Sequence, residues 1–124
     1  MLDVSFNQLK QFPDDWILLY HLSELNLSGN ELRQLPKDIH KLRSLASLDV
    51  SDNFIDQLPD KLAKLPSLQH LNIADNIIMQ WPTNFVKLQA RVTVSAHVAI
   101  FLLSVNPQVG LIFYKAVTYT LHEN

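Results

Sequence analysis

No cysteine occurs in the 124 residues, which excludes disulfide-closed ends and thiolate metal sites and fits a reducing, cytoplasmic compartment. Only two glycines are present, Gly29 and Gly110, and they do not form a phosphate-cradling loop, a dinucleotide fingerprint or a nucleophile elbow. The formal charge is −2, so the basic excess that marks a nucleic-acid binder is missing. The histidines His21, His40, His70, His97 and His122 do not fall at the i, i+4 or clustered spacing of a metal site; His40 and His70 read as solvated surface residues. Asp49-x-Ser51-x-Asn53 opens like a calcium loop, but Phe54 stands where the tight turn needs glycine. No metal, cofactor or catalytic constellation is therefore expected, and the chain reads as a non-enzyme.

What the chain does contain is repetition. Leu2-Asp3-Val4-Ser5-Phe6-Asn7 returns as Leu25-Asn26-Leu27-Ser28-Gly29-Asn30, as Leu48-Asp49-Val50-Ser51-Asp52-Asn53 and as Leu71-Asn72-Ile73-Ala74-Asp75-Asn76, at a period of 23 residues. Repetition at that interval means stacked supersecondary units, since one unit alone has no partner for its apolar face. Six columns are apolar in all four rows and a seventh in three. They run through Leu2, Leu25, Leu48, Leu71; Val4, Leu27, Val50, Ile73; Leu9, Leu32, Ile55, Ile78; Phe12, Leu35, Leu58, Trp81; Trp16, Ile39, Leu62, Phe85; Leu19, Leu42, Leu65, Leu88; and Leu22, Leu45, Leu68.

The first two columns, two residues apart, describe one side of a short strand that pairs with its counterpart in the next repeat. Ile39, Leu42 and Leu45 describe one face of a helical or 3₁₀ turn, so each repeat reads as strand, turn and short helical return. Pro13, Pro36, Pro59 and Pro82 share a column that suits the first position of that return. Asn7, Asn30, Asn53 and Asn76 form a structural ladder: where the chain turns inward after the strand, a carboxamide satisfies both a backbone donor and backbone acceptors.

These rows resemble the leucine-rich repeat family. Its pattern L-x-x-L-x-L-x-x-N-x-L is met by Leu45, Leu48, Val50, Asn53, Ile55 and again by Leu68, Leu71, Ile73, Asn76, Ile78. Leu35-Pro36 and Leu58-Pro59 are similar to the 23-residue class of intracellular scaffolds that includes the Scribble and Erbin group and Ras-binding relatives. The resemblance implies an α/β repeat fold, a solenoid with a concave parallel sheet and short helical or 3₁₀ returns on the convex side. It also implies a protein-binding role, with signal transduction as its setting.

The solenoid is expected over residues 1–96, as four repeats with apolar alternation for a fifth strand at 92–96, although Arg91 stands on the column of Leu68. Residues 97–124 form a divergent hydrophobic tail. Its apolar runs are eight residues or shorter and are broken by Asn106-Pro107-Gln108, short of the roughly 20 residues of a membrane span. Two alternatives to a soluble interaction module follow: a membrane-associated protein anchored by residues 98–121, and a truncated isoform without activity of its own. The second is suggested by strand residue Leu2 directly following Met1 and by the abrupt change near Gln89 to Arg91.

Between the buried strand positions lie the columns expected to face the concave side: Glu24, Ser47, His70; Asp3, Asn26, Asp49, Asn72; Ser5, Ser28, Ser51, Ala74; and Phe6, Gly29, Asp52, Asp75. They hold five acids and no lysine or arginine, while Lys10, Arg33, Lys37, Lys41, Arg43, Lys61, Lys64, Lys87 and Arg91 fall in turns and returns. The expected site is therefore a concave acidic face that takes a basic protein surface. Asp3, Glu24, Asp49, Asp52 and Asp75 supply charge, and Asn26, His70 and Asn72 supply hydrogen bonds. The competing expectation is that these acids only keep an exposed sheet face soluble.

Overall fold

The computed structural model describes residues 1–89 and 91–96. Five short strands, β1 (Leu2–Asp3), β2 (Glu24–Asn26), β3 (Ser47–Asp49), β4 (His70–Asn72) and β5 (Thr93–Ser95), form one parallel sheet in chain order. The register repeats the 23-residue period: Leu2 pairs with Leu25, Leu25 with Leu48, Leu48 with Leu71, and Leu71 with Val94. Beyond the strands the ladder continues. The amides of Val4, Leu27, Val50 and Ile73 donate to the carbonyls of Asn26, Asp49, Asn72 and Ser95 at 2.7–3.0 Å.

The returns are 3₁₀ turns at Asp14–Leu18, Ile39–Lys41 and Asp60–Lys64, followed by one turn of α-helix, α1 (Phe85–Gln89). The prolines do not occupy the first helical position. Pro13 and Pro59 precede their turns in extended conformation, with ψ of 127° and 145°. All four proline carbonyls accept an amide three residues on, from Trp16, Ile39, Leu62 and Phe85. A 3₁₀ turn needs an acceptor from the residue before it, and proline loses nothing there, because its carbonyl is intact.

The apolar columns meet between sheet and returns in one continuous core, from Phe12 through Leu25, Leu48 and Leu71 to Val94. Leucine side chains stack on leucine side chains of the next repeat, so each repeat forms the wall against which its neighbour packs. The middle repeats carry Leu35 with Ile39 and Leu58 with Leu62. The first and fourth fill the same columns with aromatic pairs, Phe12–Trp16 edge-on at 5.6 Å and Trp81–Phe85 tilted at 5.0 Å. On the convex side the Ser67 hydroxyl donates to the Arg43 carbonyl at 2.7 Å, and the Asn84 carboxamide to that of Asp60 at 3.1 Å. Arg91, on the column of Leu68, is exposed, and its guanidinium donates to the Ala63 carbonyl.

His21 and His70 are exposed, whereas His40 is half-buried and its Nδ1 is enclosed without a hydrogen-bond partner. The solvated reading of His40 is thus corrected: its three-residue return is packed between the returns before and after it. Among the described residues no helix is long and apolar enough to cross a membrane. The tail at 97–124, the anchor reading at 98–121, His97 and His122 lie outside the described residues.

Candidate functional site

The sheet brings the expected residues into rows across the strands. One row runs Glu24, Ser47, His70, Thr93, and the next Asp3, Asn26, Asp49, Asn72, Ser95. Neighbouring strands lie about 4.8 Å apart, so Asp3 and Asp49, with neutral Asn26 between them, are roughly 10 Å apart. That exceeds the Debye length of about 8 Å at physiological salt, so repulsion between these two carboxylates is largely screened. Among the acids of the concave columns only Asp52 and Asp75 occupy the same column in consecutive repeats, where the Asp52 amide donates to the Ala74 carbonyl at 3.0 Å.

Much of this face is also occupied with holding its own backbone. One carboxylate oxygen of Asp3 accepts both the amide and the hydroxyl of Ser5, at 2.9 and 2.6 Å. Asn26 does the same for Ser28 at 3.0 and 2.7 Å, and Asp49 for Ser51 at 3.0 and 2.6 Å; Asn72 accepts the Ala74 amide at 3.1 Å. A short polar side chain bonding two residues ahead is a local turn device, and it ends each strand at the same point. The Ser5 hydroxyl, and after it the Ser5 amide, holds the Asp3 carboxyl below its ordinary range. In the serine column, expected to face outward, Ser28 and Ala74 are buried. The chain has already begun to turn over the core at that point, so period-2 alternation no longer applies.

The next column explains the turn. Phe6, Gly29, Asp52 and Asp75 have φ of 53°, 68°, 53° and 54°. This left-handed conformation is free for glycine and tolerated by aspartate. A Cβ on Gly29 would lie 2.5 Å from the Phe6 ring, which stands over the glycine.

The asparagine ladder lies directly beyond. Asn53 Nδ2 donates to the carbonyls of Val50, Ser51 and Leu27, all at 3.0 Å, and its Oδ1 accepts the Leu32 amide at 3.0 Å. Asn30 and Asn76 repeat the pattern on Val4 and Leu9, and on Val50 and Ile55. Each carboxamide therefore joins its own repeat to the preceding one. Asn7 is exposed and bonds only to Val4 and Ser5 within its own repeat.

Glu24, His70, Asp3, Asp52 and Asp75 are exposed, while Asn26, Asp49 and Asn72 are half-buried. All nine basic residues of the turns and returns are exposed, and none stands in the concave columns. Two surface features were not read from the sequence. Phe54, Ile77 and Met79 are exposed beside the sheet. A glutamine column, Gln34, Gln57 and Gln80, lines an open cleft of about 580 Å³ with Lys37, Lys61 and Trp81. The 23-residue recurrence of glutamine was the signal for the second; for the first, it was apolar residues in columns that are polar elsewhere.

The leucine-rich repeat region family model matches residues 7–98. A leucine-rich repeat protein of Leptospira interrogans has a similar solved structure, with a TM-score of 0.69 and 27% identity. The match covers 86% of this chain and 29% of that one, so this chain spans less than a third of that protein's length. No curated protein is significantly similar to it.

Proposed function

This chain belongs to the leucine-rich repeat family, whose members are typically non-enzymatic protein-interaction modules, and from that premise we propose that it binds a partner protein on the concave face of its sheet. The partner offers a basic surface, and residues 1–96 act as the binding unit. One observation carries this reading: the concave columns hold five acids and no lysine or arginine, while every basic residue of the turns and returns lies elsewhere. Charge separation on this scale steers encounter and sets specificity more than it adds affinity. The pattern of Leu35-Pro36 and Leu58-Pro59 supports placement with the 23-residue intracellular scaffolds, and with it a cytoplasmic signalling role.

The test compares partners captured on the immobilised chain with those captured on charge-reversed variants, identified by mass spectrometry. Asp49→Lys with Asp75→Lys removes partner capture; because Asp49 also accepts the Ser51 amide and hydroxyl and Asp75 has a φ of 54°, circular dichroism confirms in parallel that the variant is folded. Lys41→Glu with Lys64→Glu changes it little. Capture weakens as salt rises. Loss of capture in Lys41→Glu with Lys64→Glu but not in Asp49→Lys with Asp75→Lys, or indifference to salt, refutes the acidic concave site and leaves the acids a role in solubility.

A further inference from the structure

The four repeats differ along the edge where the chain leaves the sheet. Past each asparagine the backbone is extended, with alternate side chains in the core: Asn53 and Ile55 are buried while Phe54 and Asp56 are exposed, and Asn76 and Ile78 are buried while Ile77 and Met79 are exposed. In the first two repeats the equivalent outward positions hold Gln8, Lys10, Glu31 and Arg33. In the next two they hold Phe54, Asp56, Ile77 and Met79, and the apolar three are 53%, 56% and 56% exposed.

These side chains form one patch. The Ile77 amide donates to the Ile55 carbonyl at 3.1 Å and the Met79 amide to that of Asp56 at 2.8 Å, which sets Phe54 beside Ile77 and Asp56 beside Met79. Toward the sheet the patch is bordered by Asp52 and Asp75, whose left-handed backbone carries the chain over the rim. Neither segment 52–57 nor segment 75–80 contains a lysine or arginine. Among the described residues the ion pairs belong to Asp38, and none involves Asp52, Asp56 or Asp75.

We propose that this rim is a docking surface for an amphipathic, basic segment of a partner protein, which lays apolar side chains on Phe54, Ile77 and Met79 and sets lysine or arginine against Asp52, Asp56 and Asp75. The proposal rests on the reading of the acidic face as a protein-binding surface and extends it over the edge of the sheet. Carboxylates around exposed apolar side chains select the partner's charge. A second copy of this chain would oppose Asp52 and Asp75 to acids of its own kind, whereas a basic segment neutralises them.

The probe is a short amphipathic leucine-lysine peptide, compared with its leucine-glutamate counterpart on the full chain by amide chemical shifts and titration. The lysine peptide is expected to bind and to move the amides of residues 52–57 and 75–80, while the glutamate peptide does not. Phe54→Ser with Ile77→Ser should weaken binding at least about tenfold with an unchanged melting temperature, because both side chains are largely in solvent. Unchanged affinity in that variant overturns the rim. If the shifts then fall on Glu24, Ser47 and His70, and Asp49→Lys alone abolishes binding, the concave reading stands without the rim. Absence of any binding overturns the rim and counts against the acidic face. A dimer in sedimentation that disappears in Phe54→Ser with Ile77→Ser makes a second copy the occupant and also overturns it.

Discussion

The first repeat and the third are built from the same kinds of residue and differ in what lies beside them. Leu48 is 1% exposed between β2 and β4, whereas Leu2, in the same column, is only half-buried with β2 alone at its side. Leu19 is 40% exposed and its counterparts Leu42 and Leu65 are fully buried. Asn53 reaches back to Leu27 and Leu32, and Asn7 bonds only within its own repeat. A leucine or asparagine at a given column therefore has no fixed worth. Its contribution is set by the neighbour it stacks on, as expected of a chain of units joined through nearest-neighbour interfaces.

Substitution in the core gives the largest effect. Leu48→Asp places a charge against Leu25 and Leu71 and should cost several kcal/mol, ending cooperative thermal unfolding. Leu2→Asp at the half-buried position should cost about 1 kcal/mol, and equal losses in the two variants, read by circular dichroism melts, would break the comparison. The ladder comes next. Asn53→Ala strands the buried Leu32 amide and carbonyls of two repeats and should cost about 3 kcal/mol in denaturant unfolding, while Asn7→Ala, with its partners near solvent, should cost less than about 1 kcal/mol.

A third prediction concerns the turn over the rim. Gly29→Ala should cost about 1 kcal/mol from its φ of 68°, since the Phe6 ring, 77% exposed, swings aside. Adding Phe6→Ala should therefore restore little, and full restoration would assign the cost to the ring.

The smallest effect is expected on the convex side. Asp38 lies 3.6 Å from Lys41 and 3.4 Å from Lys61, all well exposed. Lys41, and to a lesser degree the hydrogen bond from Lys61, holds its carboxyl below the ordinary value. A depressed carboxyl stabilises the fold above its unfolded pKa of about 3.9, and that contribution fades only as pH falls through the lower folded value. Asp38→Asn should accordingly leave the melting temperature at pH 7 unchanged within error.

The period made the sheet register, the core columns and the asparagine ladder legible, because a column that repeats shows which positions must stay apolar or amide. The turn geometry was less legible. Asp3 with Ser5, Asn26 with Ser28 and Asp49 with Ser51 stand two apart in a spacing equally consistent with outward strand residues and with a side chain capping its own turn. The left-handed column was marked by Gly29, Asp52 and Asp75 but disguised by Phe6. The prolines stand before the returns and not at their first position, by one residue at Pro13 and Pro59 and by three at Pro36 and Pro82, a difference hidden because 3₁₀ and α returns share a periodicity over so few residues. The acidic residues of the candidate face were visible individually. Their spacing, with Asn26 between Asp3 and Asp49, follows from the register.

Native-state amide hydrogen exchange tests the dependence on neighbours most directly. Protection is predicted to rise from the Val4 and Phe6 amides of the first repeat to the Val50 and Ile55 amides of the third, and Asn53→Ala is predicted to lower protection in the second and third repeats together, at Leu32 as well as beside residue 53. Equal protection in the first and third repeats, or a loss in Asn53→Ala confined to its own repeat, would contradict it.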